Sequence, residues 1–186
     1  CSGYKKNLRK NPQILKAGIV DYGMGNLGSV KRKMDLLGYD AVISSDSREL
    51  KKSDKLILPG VGHFKTAVHR LKSIGLWDFL NEEALGRSKP MLGICLGQQL
   101  MCSHSEEGHE EGLAWFDARV ERFRINDMKN IQIPHMGWNT LQKVKDSILL
   151  KNIPADAEFY FVHAYHVLSG NEDEIVALTH YGADFV

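Results

Sequence analysis

The segment Met91-Leu-Gly-Ile-Cys-Leu-Gly-Gln-Gln-Leu100 constrains the fold of this chain most. An apolar run, Met91–Cys95, passes through Gly93-x-Cys95-x-Gly97 straight into a helical stretch, Gln98–Cys102. Small residues two before and two after a central nucleophile are the mark of a nucleophile elbow, with Cys in the place of Ser. They let the backbone turn tightly between strand and helix and lift the side chain clear at the end of a sheet. The flanking sequence fits such a sheet. Ala17–Val20, Ala41–Ile43 and Leu56–Leu58 read as short buried strands. Leu27, Val30, Met34 and Leu37 recur at helical spacing with Gly38 where a C-cap belongs, and Phe64, Ala67, Val68 and Leu71 mark another helix. Strand–helix alternation over the first hundred residues predicts a mostly parallel sheet covered by helices on both faces. After Gly112 the pattern becomes β-rich: Arg119–Phe123, Glu158–Val162 and Ile175–Thr179 read as strands and no long helix is evident.

At 186 residues, 43% hydrophobic and 25% charged, the chain is one globular α/β domain by length and composition. Residues 17–186 form that domain, and residues 1–16, with five Lys or Arg and no periodicity, read as a basic N-terminal extension. Lys plus Arg is 24 against 23 for Asp plus Glu, so no basic field is present to hold a nucleic acid or an anionic membrane. No apolar run approaches the roughly 20 residues of a membrane-spanning helix. Cys1, Cys95 and Cys102 make neither a CxxC pair nor a disulfide framework, which points to a reducing cytoplasm. An N-terminal Cys is also how a mature lipoprotein begins, but nothing else in the chain suggests export.

Two readings compete at Cys95. One is a small buried cysteine in an ordinary strand–turn–helix join. The other is a thiol facing the amides and positive end of the following helix, which lowers its pKa and favours the nucleophilic thiolate. Cys102, seven residues on, reads as core. The turn Leu58-Pro-Gly-Val-Gly-His-Phe64 ends a second strand at the same sheet edge. Alone it is an ordinary βα turn; beside an elbow cysteine its glycines suit a peptide that turns an N–H toward an oxyanion.

Gly93-Ile-Cys-Leu-Gly-Gln-Gln99 resembles the nucleophile motif of class I glutamine amidotransferases. Asp21-Tyr-Gly-Met-Gly-Asn-Leu27, Leu58–Phe64, Ser105-Glu-Glu-Gly108, Pro134-His-Met-Gly-Trp-Asn139 and Tyr160-Phe-Val-His-Ala-Tyr165 follow the order seen in the glutaminase subunits of imidazole glycerol phosphate synthases. The resemblance implies the amidotransferase fold and a glutaminase that needs no cofactor or metal. It implies Cys95 as the nucleophile that forms a thioester with glutamine and releases ammonia to a synthase (cyclase) subunit in a heterodimer. Gly60, Val61 and Gly62 match the oxyanion strand, which reorients before the enzyme becomes active, and Leu96 supplies the second N–H. Gln99 and Glu107 match positions holding the polar groups of the substrate, and Ala164 and Tyr165 match a strand along it. Met136, Trp138 and Asn139 match the face toward the synthase.

Each has a plainer reading. Glu107 sits among Glu106, Glu110 and Glu111 as in a solvated acidic loop. Trp138 is either a core aromatic or, following a glycine, a loop tip. His63, His135, His163 and His166 read as structural. The family's catalytic His-x-Glu segment, expected after the last strands, does not occur downstream of Tyr165 in these residues, and His104-Ser-Glu106 has the spacing at the wrong place. The expectation is a polypeptide cut at both ends, holding a nucleophile and substrate wall without its base. A paralogous amidotransferase of surface-sugar biosynthesis, a catalytically silent docking partner and another kind of elbow hydrolase remain as alternatives at this stage.

Overall fold

Four parallel strands organise the first half. The computed structural model describes residues 15–124 and 131–186; the N-terminal extension lies outside them except for Leu15 and Lys16. The elements run β1 (Lys16–Val20), α1 (Leu27–Leu36), β2 (Asp40–Ser44), α2 (Ser47–Leu50), β3 (Lys55–Leu58), α3 (Phe64–Ser73), α4 (Leu76–Asn81), β4 (Met91–Gly93) and α5 (Leu96–Leu100). The strand order is β2-β1-β3-β4, all parallel. Alternation along the strands splits their side chains between two faces. Ile19, Ala41 and Ile57 pack against Leu27, Val30 and Met34 of α1. Val20, Leu56 and Leu58 point the other way, into the large core with Phe64, Leu71, Leu80 and Leu100. Burial on both faces is why these strands read as unbroken apolar runs. Gly38 has φ +81°, as its capping position requires, whereas Leu37 lies past the helix and is exposed.

The second half is β-rich, as its sequence predicts: β5 (His104–Ser105), β6 (Glu110–Glu111), β7 (Ala118–Arg122), β8 (His135–Thr140), β9 (Gln142–Lys143), β10 (Glu158–His163), β11 (Tyr165–Ser169), β12 (Ala177–His180) and β13 (Asp184–Phe185). They form three small sheets, β11-β7-β5-β6, β10-β8 and β13-β12-β9. Ala118, Val120 and Val167 continue the large core past Leu100 and Cys102.

One local expectation needs correction, and one helix goes beyond those the sequence predicts. The stretch around Trp138 is a strand, not a loop tip, because β8 pairs antiparallel with β10 from His135↔His163 to Thr140↔Glu158. Leu76–Asn81 is a helix that apolar spacing alone does not reveal; Leu76 and Leu80 bury one face of it, and Trp115 Nε1 donates to Asn81 Oδ1 at 2.8 Å.

Candidate active site

Cys95 sits between β4 and α5 with φ +54° and ψ −117°, a backbone region that a non-glycine residue seldom occupies. The neighbouring glycines explain how the turn is held there. A Cβ on Gly97 would stand 1.6 Å from the Leu58 carbonyl oxygen, and one on Gly93 would stand 2.6 Å from the backbone of Gln98. Strand and helix thus approach more closely than any side chain permits. Ile94 N donates to Leu58 O at 3.0 Å, tying the turn to β3. The thiol is exposed, so the reading of Cys95 as a buried join residue fails. Cys102 is the opposite case. It lies just past the helix, fully buried, and burial pushes its thiol up to about 12. It is core, as expected.

The glycine turn lies against the elbow. An added Cβ on Gly60 would meet Leu96 Cβ at 3.1 Å and the Gly97 nitrogen at 3.4 Å. It would also collide with the Tyr22 hydroxyl, which donates to the Pro59 carbonyl at 2.6 Å. Burial, with the charge of a Cys95 thiolate second, holds the Tyr22 phenol well above its ordinary pKa. Tyr22 therefore pins this turn as a neutral donor. Its role is missed by sequence reasoning; the signals are its place in the Asp21–Leu27 motif and its position two residues past β1, at the edge of the sheet where β3 and β4 also end. Gly62 has φ +118°, and the Val61 side chain is exposed.

Glu107 is not a free member of an acidic loop. Its Oε2 accepts the backbone N–H of Phe64 at 2.8 Å, at the N-terminus of α3, where His63 offers no side-chain cap. The carboxylate thus ties the acidic hairpin to the end of the glycine turn. Glu106 points elsewhere, to Arg122 N and Arg124. His104 faces Glu111, so His104 and Glu106 form no catalytic pair.

Cys95 opens into a cleft of about 440 Å³ that also receives Gln98, Gln99, His163, Tyr165 and His166. Gln99 Nε2 donates to the Tyr165 carbonyl at 3.2 Å, joining the elbow helix to β11 across 66 residues of sequence. Ala164 stands at the bend between β10 and β11, its carbonyl accepting from Phe123 N at 3.1 Å. The structure therefore brings Cys95, Gln99 and Tyr165 to one cleft and Gly60 against Leu96 beside it. Met136 and Trp138, both exposed, share one face of β8, whereas Asn139 points to the other. Opposite Met136 and Trp138 on β10 stand Val162 and Tyr160, also exposed.

At the β10–β11 wall of the cleft, His163 and His166, with His135 next to them, form an aromatic cluster with Phe123, Phe161, Tyr181 and Phe185. Desolvation lowers the pKa of all three imidazoles, that of His135 to about 4 with a further contribution from His163. His166 stacks on Phe123 at 4.2 Å, its buried Nδ1 lacking a partner among the described residues.

The family model for class-I glutamine amidotransferases matches residues 18–184. The imidazole glycerol phosphate synthase subunit HisH 2 of Methanococcus maripaludis is 41% identical over 90% of this chain and 82% of its own length. The HisH subunit of a Geobacillus species is 45% identical over 90% of this chain and 80% of its own. Among solved structures, a glutamine amidotransferase superposes with a TM-score of 0.67 at 18% identity, covering 89% of this chain and 84% of that one. A Thermotoga maritima glutamine amidotransferase gives 0.57, covering 91% and 73%. At such identity the structural likeness establishes the fold, and with the family match over nearly the whole chain it follows that this protein belongs to the class-I glutamine amidotransferases.

Proposed function

We propose that this chain is the glutaminase subunit of an imidazole glycerol phosphate synthase, supplying ammonia to a cyclase partner in histidine biosynthesis. The observation that carries the reading is the elbow: Cys95 exposed at φ +54° beside a Gln99–Tyr165 contact, in a chain over 40% identical to proteins of that name. Cys95 Sγ attacks the side-chain amide carbon of glutamine. The C–N bond breaks, the amide nitrogen takes up the proton given up by the thiol and leaves as ammonia, and a thioester remains. Water then hydrolyses the thioester, releasing glutamate and restoring the thiol. The Leu96 N–H and an N–H of Gly60–Gly62 are the proposed oxyanion donors, and a missing donor costs about 10²–10³ in rate. Gln99, Glu107, Ala164 and Tyr165 are the proposed substrate contacts. The exposed Met136 and Trp138, extended by Tyr160 and Val162, are the proposed docking face, and a cytoplasmic location suits this role. No helix among the described residues is long and apolar enough to cross a membrane.

The test is alkylation of Cys95 by an electrophilic glutamine analogue in the presence of the synthase subunit, followed by peptide mapping. Labelling confined to Cys95, prevented by glutamine and faster with the partner, is the expected result; labelling of Cys102, or no protection by glutamine, overturns it. A polypeptide confined to residues 1–186 offers no His-x-Glu after Tyr165. General acid–base help is typically worth about 10²–10⁴. Ammonia release by that polypeptide is therefore expected to fall far below that of a version extended through such a segment, each with its partner. Equal release would make His163 or His166, which line the cleft, the base.

A further inference from the structure

His135 and His163 leave little freedom in where their protons sit. The Tyr165 carbonyl only accepts, so His163 Nδ1, 2.8 Å away, carries a hydrogen. In a neutral ring His163 Nε2 is then bare, and His135 Nδ1, at 3.1 Å, must donate to it. That leaves His135 Nε2 bare. The far end gives the same answer independently. Asn139 Oδ1 accepts the Thr140 N–H at 2.9 Å, and Asn139 Nδ2 donates to the His180 carbonyl at 3.0 Å. The amide orientation is thereby fixed, and Nδ2 faces His135 Nε2 at 3.5 Å as a donor. Both ends demand the same tautomer of both rings, the Nδ1–H form that is the minor one for a free neutral histidine side chain.

We propose that His135 and His163 are positioning residues, a one-way hydrogen-bond chain running Asn139→His135→His163→Tyr165 carbonyl, which holds β11 against Gln99 and ties the glutamine wall to the strand that bears Met136 and Trp138. The proposal rests on the glutaminase reading above. The Tyr165 oxygen is the shared acceptor of His163 Nδ1 and Gln99 Nε2. Losing the first leaves Gln99 as the remaining side-chain tie on the Tyr165 carbonyl, at the end of a strand otherwise held by its pairing with β7. On β8 the division of labour follows from alternation: Met136 and Trp138 face outward while His135 and Asn139 face inward. A partner seated on the outer side therefore bears on the strand that carries the chain's first two members, not on those side chains themselves. A proton added to either ring would set N–H against N–H, at His163 Nε2 or at His135 Nε2. Burial opposes such protonation in both, consistent with a chain that stays neutral.

The experiment has two arms on the chain with its synthase subunit. Nitrogen-15 spectra of histidine-labelled protein should show His135 and His163 neutral and protonated at Nδ1; Nε2–H signals for either ring overturn the proposal, whatever the fate of the glutaminase reading. In the second arm, Cys95 alkylation by the electrophilic glutamine analogue is followed against analogue concentration. His163→Asn places an amide nitrogen where Nδ1 stands and should keep half-saturation within about twofold of the parent. His163→Leu should raise it about tenfold, the worth of one hydrogen bond held in place. Alkylation by iodoacetamide, which does not use the glutamine wall, should be unchanged in both. Equal half-saturation in Asn and Leu variants overturns the positioning role. If the parent reacts with iodoacetamide but never with the analogue, the glutaminase reading has failed, and the nitrogen-15 arm still decides the arrangement of the chain.

Discussion

The cleft has two walls, and they are built by different means. On the Cys95 side, position is fixed by backbone sterics: Gly97 against the Leu58 carbonyl, Gly93 against Gln98. The β10–β11 side is held by polar side chains that meet across 28 residues for His135–His163 and 66 for Gln99–Tyr165. The glycine contacts of the first wall involve no titratable side chain, and their backbone atoms have no flexible neighbour that could give way. The second is made of imidazoles and amides whose bonds can be exchanged, and it continues into an exposed apolar strand pair. On the proposed function, a nucleophile held in one place and a substrate wall next to the docking face call for these two kinds of construction.

The sharpest way to break the comparison is at the nucleophile. Cys95→Ala should abolish glutamine-dependent turnover in the complex and leave the ammonia-dependent synthase reaction intact. Cys102→Ala should keep most activity and cost only about 1 kcal/mol, as for loss of a small buried group. Ammonia release and product formation, measured side by side, check both. Equal losses would mean that the elbow does not separate the two thiols.

Next in size is the steric wall itself. Gly97→Ala forces a Cβ onto a backbone oxygen 1.6 Å away, with no flexible side chain to yield. A cost of about 3 kcal/mol or more is expected, a large share of a typical stability of about 5–15 kcal/mol. Gly28→Ala, in α1 with nothing within 4 Å, is the contrast and should stabilise by about 0.5–1 kcal/mol. Urea midpoints for the pair would show whether glycine matters here through space or only through flexibility.

How far each wall can be read from sequence follows the same division. The strands β1 to β3, helices α1 and α3, and the elbow are legible because their signals are local: apolar runs, 3.6-residue spacing, small residues around Cys95. The strand state of β8 is not, since Gly137 has φ +145° and Pro134 precedes it, and its extended course rests on long-range pairing with β10. Asn139 is assigned to the docking face by motif, yet alternation turns it inward. Glu107 and Tyr22 illustrate the same limit. Their residue types are visible, but which backbone group each meets depends on where a loop 43 residues away or a strand end 37 residues away comes to lie.

Acid should separate the walls. His135, His163 and His166 are all held below the ordinary histidine pKa by burial, His135 at about 4. Between about pH 6.5 and 4 the unfolded chain binds more protons than the folded one, so stability falls as pH falls. The contribution is complete above pH 6.5, and for His135 about 1–2 kcal/mol of it is lost by pH 5. A His135→Phe variant, which keeps a ring in the cluster, should show a shallower decline of the thermal midpoint over that window. Amide exchange should locate the loss in β8 and β10 while β1, β3 and β4 stay protected. Equal deprotection of the parallel sheet would erase the distinction between the walls.

The smallest effect is expected where the steric wall borrows a side chain. Tyr22 crosses from the end of β1 to the glycine turn, and its hydroxyl occupies the space that a side chain on Gly60 would need. Tyr22→Phe removes that hydroxyl and leaves the Pro59 carbonyl without this donor in a buried site. The expected cost is about 1 kcal/mol, near the mean net worth of a hydrogen bond. Because the ring remains, packing against the core changes little, and chemical denaturation should report a small shift of midpoint with an unchanged slope. Activity should move in a particular way. With the turn less firmly pinned, its peptides reorient more easily, so hydrolysis without the synthase should rise relative to hydrolysis with it. If both rates instead fall together, Tyr22 serves the oxyanion donors directly, and the turn beside Cys95 is held by the glycine contacts alone.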